Sequence, residues 1–481
     1  MAPFAKVGGL ADVAAALSKA LAARGHDVRV VLPLYGELDR EKENIRPLKK
    51  LPPLALRVGQ KVHDVRFHVR GSTSSAVKIY LVECSSLFEK NGIYTYGDGT
   101  GFEDSLVRSS LHAQAALLLP RLLDWPVDVV NAHDASAVPA ILYRQNWYAG
   151  RSLPGPAGTL LTIHNLAHQE THPVDEVDTL GLQRSLVSYP GLLEFHGRLN
   201  LMKAGILAAD LVNTVSPNYA EETTTNEEYG CGLQEILLSR GDDYSGVLNG
   251  CDYETWDPMH DKALVANYGP GKMAGKAKCR KALLKELKIK PEAGKPVCGF
   301  VGRLVGQKGV DLLLPILNRL AQDGFGFAIL GTGEKRLELA IRELADQHPD
   351  RIAFVDHFNE ALAHRIYAGS DLFLMPSLFE PCGLSQMYSL RYGTPPVVRS
   401  TGGLTDTVTD VEEGKAIGTG FVFQDPKPES LLAVLRRAEM VFADSDRWQE
   451  LLETGMAQEF SWDLAAASYE KLYEKAISRQ S

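Results

Sequence analysis

The chain is 481 residues long, 45% apolar and 23% charged, which falls inside globular norms and allows two or three domains. Its formal charge of −9 argues against nucleic acid or an anionic membrane as the main partner, and no apolar stretch reaches transmembrane length, since residues 115–123 are broken by Pro120 and Arg121. Six scattered cysteines (84, 231, 251, 279, 298 and 382) contain no Cys-x-x-Cys and form no close set with histidine, which excludes a disulfide scaffold and a cysteine metal site and fits a reducing compartment.

Met1-Ala2-Pro3-Phe4 leads directly into Lys6-Val7-Gly8-Gly9, with no basic, apolar, small-residue leader. An α/β domain is expected to open with a strand before its first Gly-rich loop, yet only five residues precede Lys6. The start is therefore expected to be cut, mis-assigned or adapted, and a missing central strand would expose sheet edges. Helices are predicted at 9–24 and 102–123, and strands at 28–32, 77–82, 127–130, 159–163 and 211–215. Residues 249–276, rich in Gly, Pro, Asp and Asn, read as an interdomain connection. Strands at 297–301, 325–330, 372–375 and 396–398, with helices between, give a second doubly wound sheet. The fold class is α/β, with parallel sheets covered by helices on both faces.

Two strand-to-helix junctions carry the chemistry. The apolar strand 297–301 runs into Gly302-Arg303-Leu304-Val305-Gly306-Gln307-Lys308-Gly309 and then a helix. A guanidinium fork and an ammonium five residues apart on a Gly-rich loop suit a diphosphate. Strand 372–375 runs into Glu380, followed by Cys382, Gly383 and Leu384. Those three are expected to open a helix whose unpaired N–H groups face an anion, with Glu380 at the same rim accepting sugar hydroxyls. A helix N-terminus would also lower the Cys382 thiol pKa and make it a sensitive residue. A third loop, Gly331-Thr332-Gly333, is weak evidence alone, and Arg391 and Arg399 read as solvated or sheet-edge charges.

Further motifs come in order: Lys6-Val7-Gly8-Gly9-Leu10-Ala11-Asp12-Val13, Thr162-Ile163-His164-Asn165-Leu166, Lys203-Ala204-Gly205-Ile206, Tyr229-Gly230-Cys231-Gly232-Leu233, Val247-Leu248-Asn249-Gly250 and Thr401-Gly402-Gly403-Leu404. Almost end to end, the chain resembles the bacterial glycogen synthases and plant starch synthases. The resemblance implies a GT-B fold, two Rossmann-like domains facing a cleft. Residues 1–244, joined by a C-terminal helix at 460–481, would form the acceptor-side domain and 245–459 the donor-side domain. It implies glucose transfer from ADP-glucose to the non-reducing end of an α-1,4-glucan (glycogen, starch or a maltooligosaccharide), with retention and with no metal or other cofactor. It further implies a cytoplasmic enzyme, or one of the plastid stroma in a plant or alga, with no nucleic-acid or membrane partner.

By the same resemblance, Arg303, Lys308, Glu380 and His164 are the catalytic group, with His164 on the transferred glucose. Lys6, Gly8 and Gly9 would meet the phosphates on closure, Asp12 and Asn249 would lie near donor or acceptor, and Phe358 would offer the base an aromatic platform where relatives often carry Tyr. The family has His-Asp-Trp where this chain has His133-Asp134-Ala135, so Asp134 can bind hydroxyls but a stacking face is missing, and a Trp there is expected to tighten glucan binding. Related sugar-nucleotide transferases often place a second Glu eight positions after the first. Here that position is Tyr388, and Pro381-Cys382-Gly383 has the synthase form. The alternative is a catalytically weak or inert glucan-binding paralogue, favoured only by Ala135 and the short start.

Overall fold

The computed structural model describes residues 1–5, 8–71, 76–90, 92–96, 100–146, 157–412 and 418–480. The chain divides into two compact units, one of Met1–Val215, Ala220–Gly250 and Trp462–Ser481, the other of Ser216–Tyr219 and Cys251–Ser461.

In the first unit, α1 (Gly9–Ala23) buries Val13, Leu17 and Leu21 at four-residue spacing, against Leu160, Leu211 and the C-terminal helix Trp462–Ser478. Strands β1 (Arg29–Pro33), β2 (Ile45–Pro47), β3 (Leu54–Val58), β4 (Lys61–Arg70) and β5 (Lys78–Glu83) make one sheet, ordered β1-β5-β4-β2 with β3 on β4. β1 and β5 are parallel, whereas β4 runs antiparallel to β5, β2 and β3. This antiparallel arm is absent from the sequence reading because β4 interleaves charged residues with apolar ones and keeps one face in solvent. After α2 (Ser105–Leu122), β6 (Val129–His133), α3 (Val138–Asn146) and β7 (Gly158–Ile163) come the short strands β8 (Thr171–His172), β9 (Glu194–Phe195) and β10 (Arg198–Asn200), a small antiparallel sheet. β11 (Leu211–Thr214) and β12 (Tyr244–Gly246) complete a parallel sheet ordered β12-β11-β7-β6.

β1 and β6 each end their sheet, and both line a cavity of about 760 Å³. His112 from α2 bonds the Val31 carbonyl on the β1 edge at 3.1 Å.

The second unit holds six parallel strands: β13 (Val297–Val301), β14 (Gly326–Leu330), β15 (Ile352–Val355), β16 (Leu372–Met375), β17 (Pro396–Arg399) and β18 (Phe421–Phe423). Their order, β15-β14-β13-β16-β17-β18, reverses direction between β13 and β16. At such a switch point the loops leaving the two central strands diverge and open a crevice at the strands' carboxyl ends. Helices α4 (Val310–Gln322), α5 (Ser385–Arg391) and α6 (Gly402–Thr407) follow β13, β16 and β17. The core beneath is continuous, with Phe300, Phe327, Leu374 and Val397 packed on Leu313, Leu317 and Leu320 of α4. Among the described residues, no helix is long and apolar enough to cross a membrane.

Candidate active site

The crevice of the second unit joins the two loops that the sequence marked. After β13 the chain is held to the neighbouring loop, Leu304 N–H bonding Thr332 O at 2.8 Å and Glu334 N–H bonding Leu304 O at 2.7 Å. Gly309 then takes φ 67 to enter α4, and a Cβ there would lie 1.8 Å from the Pro376 carbonyl oxygen, so the loop is seated directly on the end of β16. Leu378 N–H donates to Gln307 O at 2.8 Å and the Gln307 amide donates to Phe379 O at 3.2 Å.

The ammonium of Lys308 consequently reaches Glu380 Oε2 at 2.5 Å, and Ser377 Oγ bonds the same oxygen at 3.0 Å. Glu380 is 7% exposed, so this is a largely dehydrated ion pair at the crevice floor. Arg303 is exposed, its guanidinium turned along the loop toward Gln307 Oε1 at 3.4 Å. One paired and one exposed cation therefore share the loop, and among the described residues Glu380 takes one proton of the Lys308 ammonium, leaving two for a bound anion.

Three expectations change here. The helix starts at Ser385 with Leu384 as its N-cap, so Cys382 and Gly383 form a turn ahead of it, Gly383 at φ 75, because that glycine ends the turn in the left-handed region. Cys382 is 4% exposed, which shields its thiol from solutes. Arg399 is neither solvated nor at a sheet edge: it ends the interior strand β17, is 7% exposed, and donates to the carbonyls of Ser377 and Leu378. Arg391 likewise pairs with Asp257 at 2.7 Å. Of the braces of the Glu380 loop, Ser377 was not singled out from sequence and Arg399 was read only as a solvated or edge charge; the signal for both was their place at carboxyl ends of predicted strands. Phe358 lies apart from this cluster in sequence, beyond β15, with 84% of its surface exposed.

In the first unit Lys6 lies outside the described residues. Gly8 caps α1 with φ 75, Gly9 is the helix's first residue and Asp12 stands in its first turn. Asn249 is buried, and its Oδ1 has no hydrogen-bond partner among the described residues, an orphan acceptor of the kind a polar ligand satisfies. Asp134 and His164 meet where β6 and β7 end. Asp134 adopts φ 59 and its Oδ1 accepts the His164 N–H at 2.7 Å. His133 Nδ1 lies 2.9 Å from His164 Nε2, the rings meeting edge to edge with centroids 5.2 Å apart. Burial pushes the His164 imidazole down to about 3, and that of His133 to about 3 with help from His164 and the N-terminal ammonium. Both rings are therefore neutral at working pH.

Burial lifts Asp134 to about 6, against the backbone N–H groups of His164 and Asn165, which favour its charged form. A carboxyl that binds its proton more tightly when folded stabilises the fold below about pH 4, and that contribution is lost as pH rises through about 6. Asp134→Asn is expected to cancel this: its melting temperature relative to the parent should climb by a few degrees between pH 4 and 7 and level off above, at about 2–4 °C per kcal/mol. A difference constant with pH in thermal scans would show that Asp134 titrates normally.

Ala135 overturns the idea of an absent stacking platform. It is 1% exposed, at the start of a 3₁₀ turn (Ala135–Ala137) packed on α2 and α3, so a side chain here points into protein and not toward a sugar. Ala135→Trp is expected to overpack the turn and cost about 1–3 kcal/mol or more, without tightening glucan binding. Calorimetry with a glucan titration checks it; tighter binding at an unchanged melting temperature would contradict it.

Among the described residues, no group of three or more His, Cys, Asp or Glu side chains is arranged to hold a metal ion. The family model for the starch synthase catalytic domain matches residues 1–239, and that for group 1 glycosyl transferases matches residues 285–446. Glycogen synthase of Anaeromyxobacter sp. is 42% identical over 98% of this chain and 97% of the relative, and that of Moorella thermoacetica is 39% identical over 100% and 96%. The catalytic domain of starch synthase IV from Arabidopsis thaliana, solved bound to ADP and acarbose, superposes with a TM-score of 0.89 at 32% identity, covering 100% of this chain and 98% of that one. Sucrose-phosphate synthase of Thermosynechococcus elongatus shares the fold at a TM-score of 0.59 and 16% identity, covering 98% of this chain and 94% of that one. The two α/β units are those of the GT-B class.

Proposed function

The chain belongs to the glycogen and starch synthases and is a glycosyltransferase, and we propose that it moves glucose from ADP-glucose to the non-reducing end of an α-1,4-glucan with retention, without a metal, in the cytoplasm. The observation that carries the reading is the Lys308–Glu380 pair at the switch-point crevice, with Arg303 exposed beside it on the same loop.

Departure of a nucleoside diphosphate concentrates negative charge on the leaving oxygens, and cations fixed there before reaction lower the barrier most. Glu380, itself braced by Ser377, holds Lys308 in place, so it meets the diphosphate as a preset charge, while Arg303 folds onto the phosphates as a bidentate fork. These two cations take the charge-neutralising work that a divalent ion performs elsewhere. The turn at Cys382, Gly383 and Leu384 adds backbone N–H groups, and Phe358 offers its exposed ring to the base. In the first unit His164, Asp134, Asp12 and Asn249 present groups for sugar hydroxyls, and Gly8 and Gly9, with Lys6, are assigned to the phosphates.

The ADP preference is supported by the relative solved with ADP. It is tested by following radiolabel from ADP-glucose and from UDP-glucose into a short maltooligosaccharide, with EDTA present throughout. Incorporation mainly from ADP-glucose is the expected result. Preference for UDP-glucose would overturn the nucleotide assignment, and dependence on added Mg²⁺ would overturn the metal-free one.

A further inference from the structure

We propose that His133 is a positioning residue, which fixes the ring plane and tautomer of His164 through the contact between His133 Nδ1 and His164 Nε2. The inference rests on the reading that His164 meets the transferred glucose. Its geometric basis is independent of that reading.

β6 and β7 are adjacent parallel strands, and their register sets His133 opposite Thr162, so the residues just beyond both strand ends are brought side by side. Two contacts then hold His164. Its backbone N–H is fixed by Asp134 Oδ1 at 2.7 Å, which settles where the residue sits. Its side chain is held by His133 at 2.9 Å, with the ring planes 26° apart, which settles how the imidazole is turned. A histidine ring fixed at only its backbone keeps rotation about χ1 and χ2; the second contact removes it.

Proton counting gives the chemical consequence. A neutral imidazole carries one N–H and one lone pair, and a hydrogen bond between two ring nitrogens takes one proton. Whichever ring donates, the state of His164 Nε2 is set by His133, and the state of His164 Nδ1 is its opposite. The contact thereby couples the two rings: where His133 Nδ1 donates, His164 Nδ1 carries the proton and is a donor, and where His164 Nε2 donates, His164 Nδ1 is an acceptor. Such tautomer control by a partner on the other ring nitrogen is the device that orients metal-bound and catalytic histidines in general. Here the partner is a second histidine, where other sites use a carboxylate or carbonyl.

The test uses the full chain with ¹⁵N-labelled histidine, the His164 signals being assigned from their loss in His164→Gln. In the parent, His164 is expected to show one neutral tautomer. His133→Phe keeps the ring volume but removes the nitrogen, and should mix the His164 tautomers and lower kcat by about 100-fold, as misplacement of a reacting contact does, with KM for the nucleotide-sugar changed less than about 2-fold. His133→Asn sets an amide near the lost Nδ1, whose N–H can donate to or whose oxygen can accept from His164 Nε2, and should restore that hydrogen bond and most of kcat. Unchanged His164 signals in His133→Phe, or an Asn variant as impaired as the Phe one, would overturn the proposal and leave His133 a packing residue. If the parent transfers no glucose, the functional reading fails, while the tautomer measurement still decides the positioning role.

Discussion

Lys308→Ala is expected to lower kcat/KM by about 10²–10³, the scale seen when one charge-stabilising donor is removed from a transition state. It should also destabilise the second unit by about 2–3 kcal/mol, because Glu380, 7% exposed, would keep Ser377 alone as a side-chain partner among the described residues; the usual 3–5 kcal/mol for breaking a buried pair is reduced here since the Lys308 side chain is 22% exposed. The stability effect is isolated in the double substitution Lys308→Met with Glu380→Gln. With both charges gone no carboxylate is stranded, so denaturant midpoints should recover while turnover stays low. Recovery of turnover along with stability would mean that Lys308 serves folding alone, and unchanged activity in Lys308→Ala would remove it from the diphosphate.

Gly402→Ala should be nearly as damaging, although Gly402 is assigned no contact with substrate. Gly402 adopts φ 46, and a Cβ there would lie 2.0 Å from the carbonyl oxygen of Glu380 and 2.9 Å from its carbonyl carbon. The neighbouring Gly403 N–H bonds the same oxygen at 3.1 Å, so the first turn of α6 is laid against the backbone that carries the Glu380 carboxylate. An alanine must either push that backbone away or unfold the start of α6, at a cost of about 3 kcal/mol or more, and the Lys308–Glu380 geometry goes with it. Chemical denaturation together with steady-state kinetics on the folded fraction reads both effects. Wild-type stability and turnover in Gly402→Ala would show that the two loops are not tightly seated on each other.

What the sequence revealed and what it hid divide along the range of the interactions. Buried parallel strands such as Val297–Val301 and Leu372–Met375 are legible because burial on both faces leaves short apolar runs bounded by Gly and Pro. Arg303, Lys308 and Glu380 are legible for a related reason: polar residues directly after such a run must lie at the strand's carboxyl end, where an α/β crevice forms. The antiparallel arm around Lys61–Arg70 is not, since a half-solvated strand with interleaved charges lacks a strong period. Nor are the braces of the site. Arg399 lies 22 residues from the Ser377 carbonyl that it bonds, and its burial depends on the unseen strand β18 covering β17. Ala135 shows the same limit from the other side: a motif comparison registers a missing aromatic ring, but only the fold tells that the position faces inward.

On the proposed function, preset cations on the second unit let this chain transfer glucose from a nucleotide donor with retention. The most direct test is to incubate the full chain with ADP-glucose and maltohexaose in EDTA and to follow the anomeric protons by NMR. The account predicts a new α-anomeric signal appearing in step with released ADP, absent in Lys308→Ala. A β-anomeric product, or ADP release without a lengthened glucan from a folded parent protein, would contradict it.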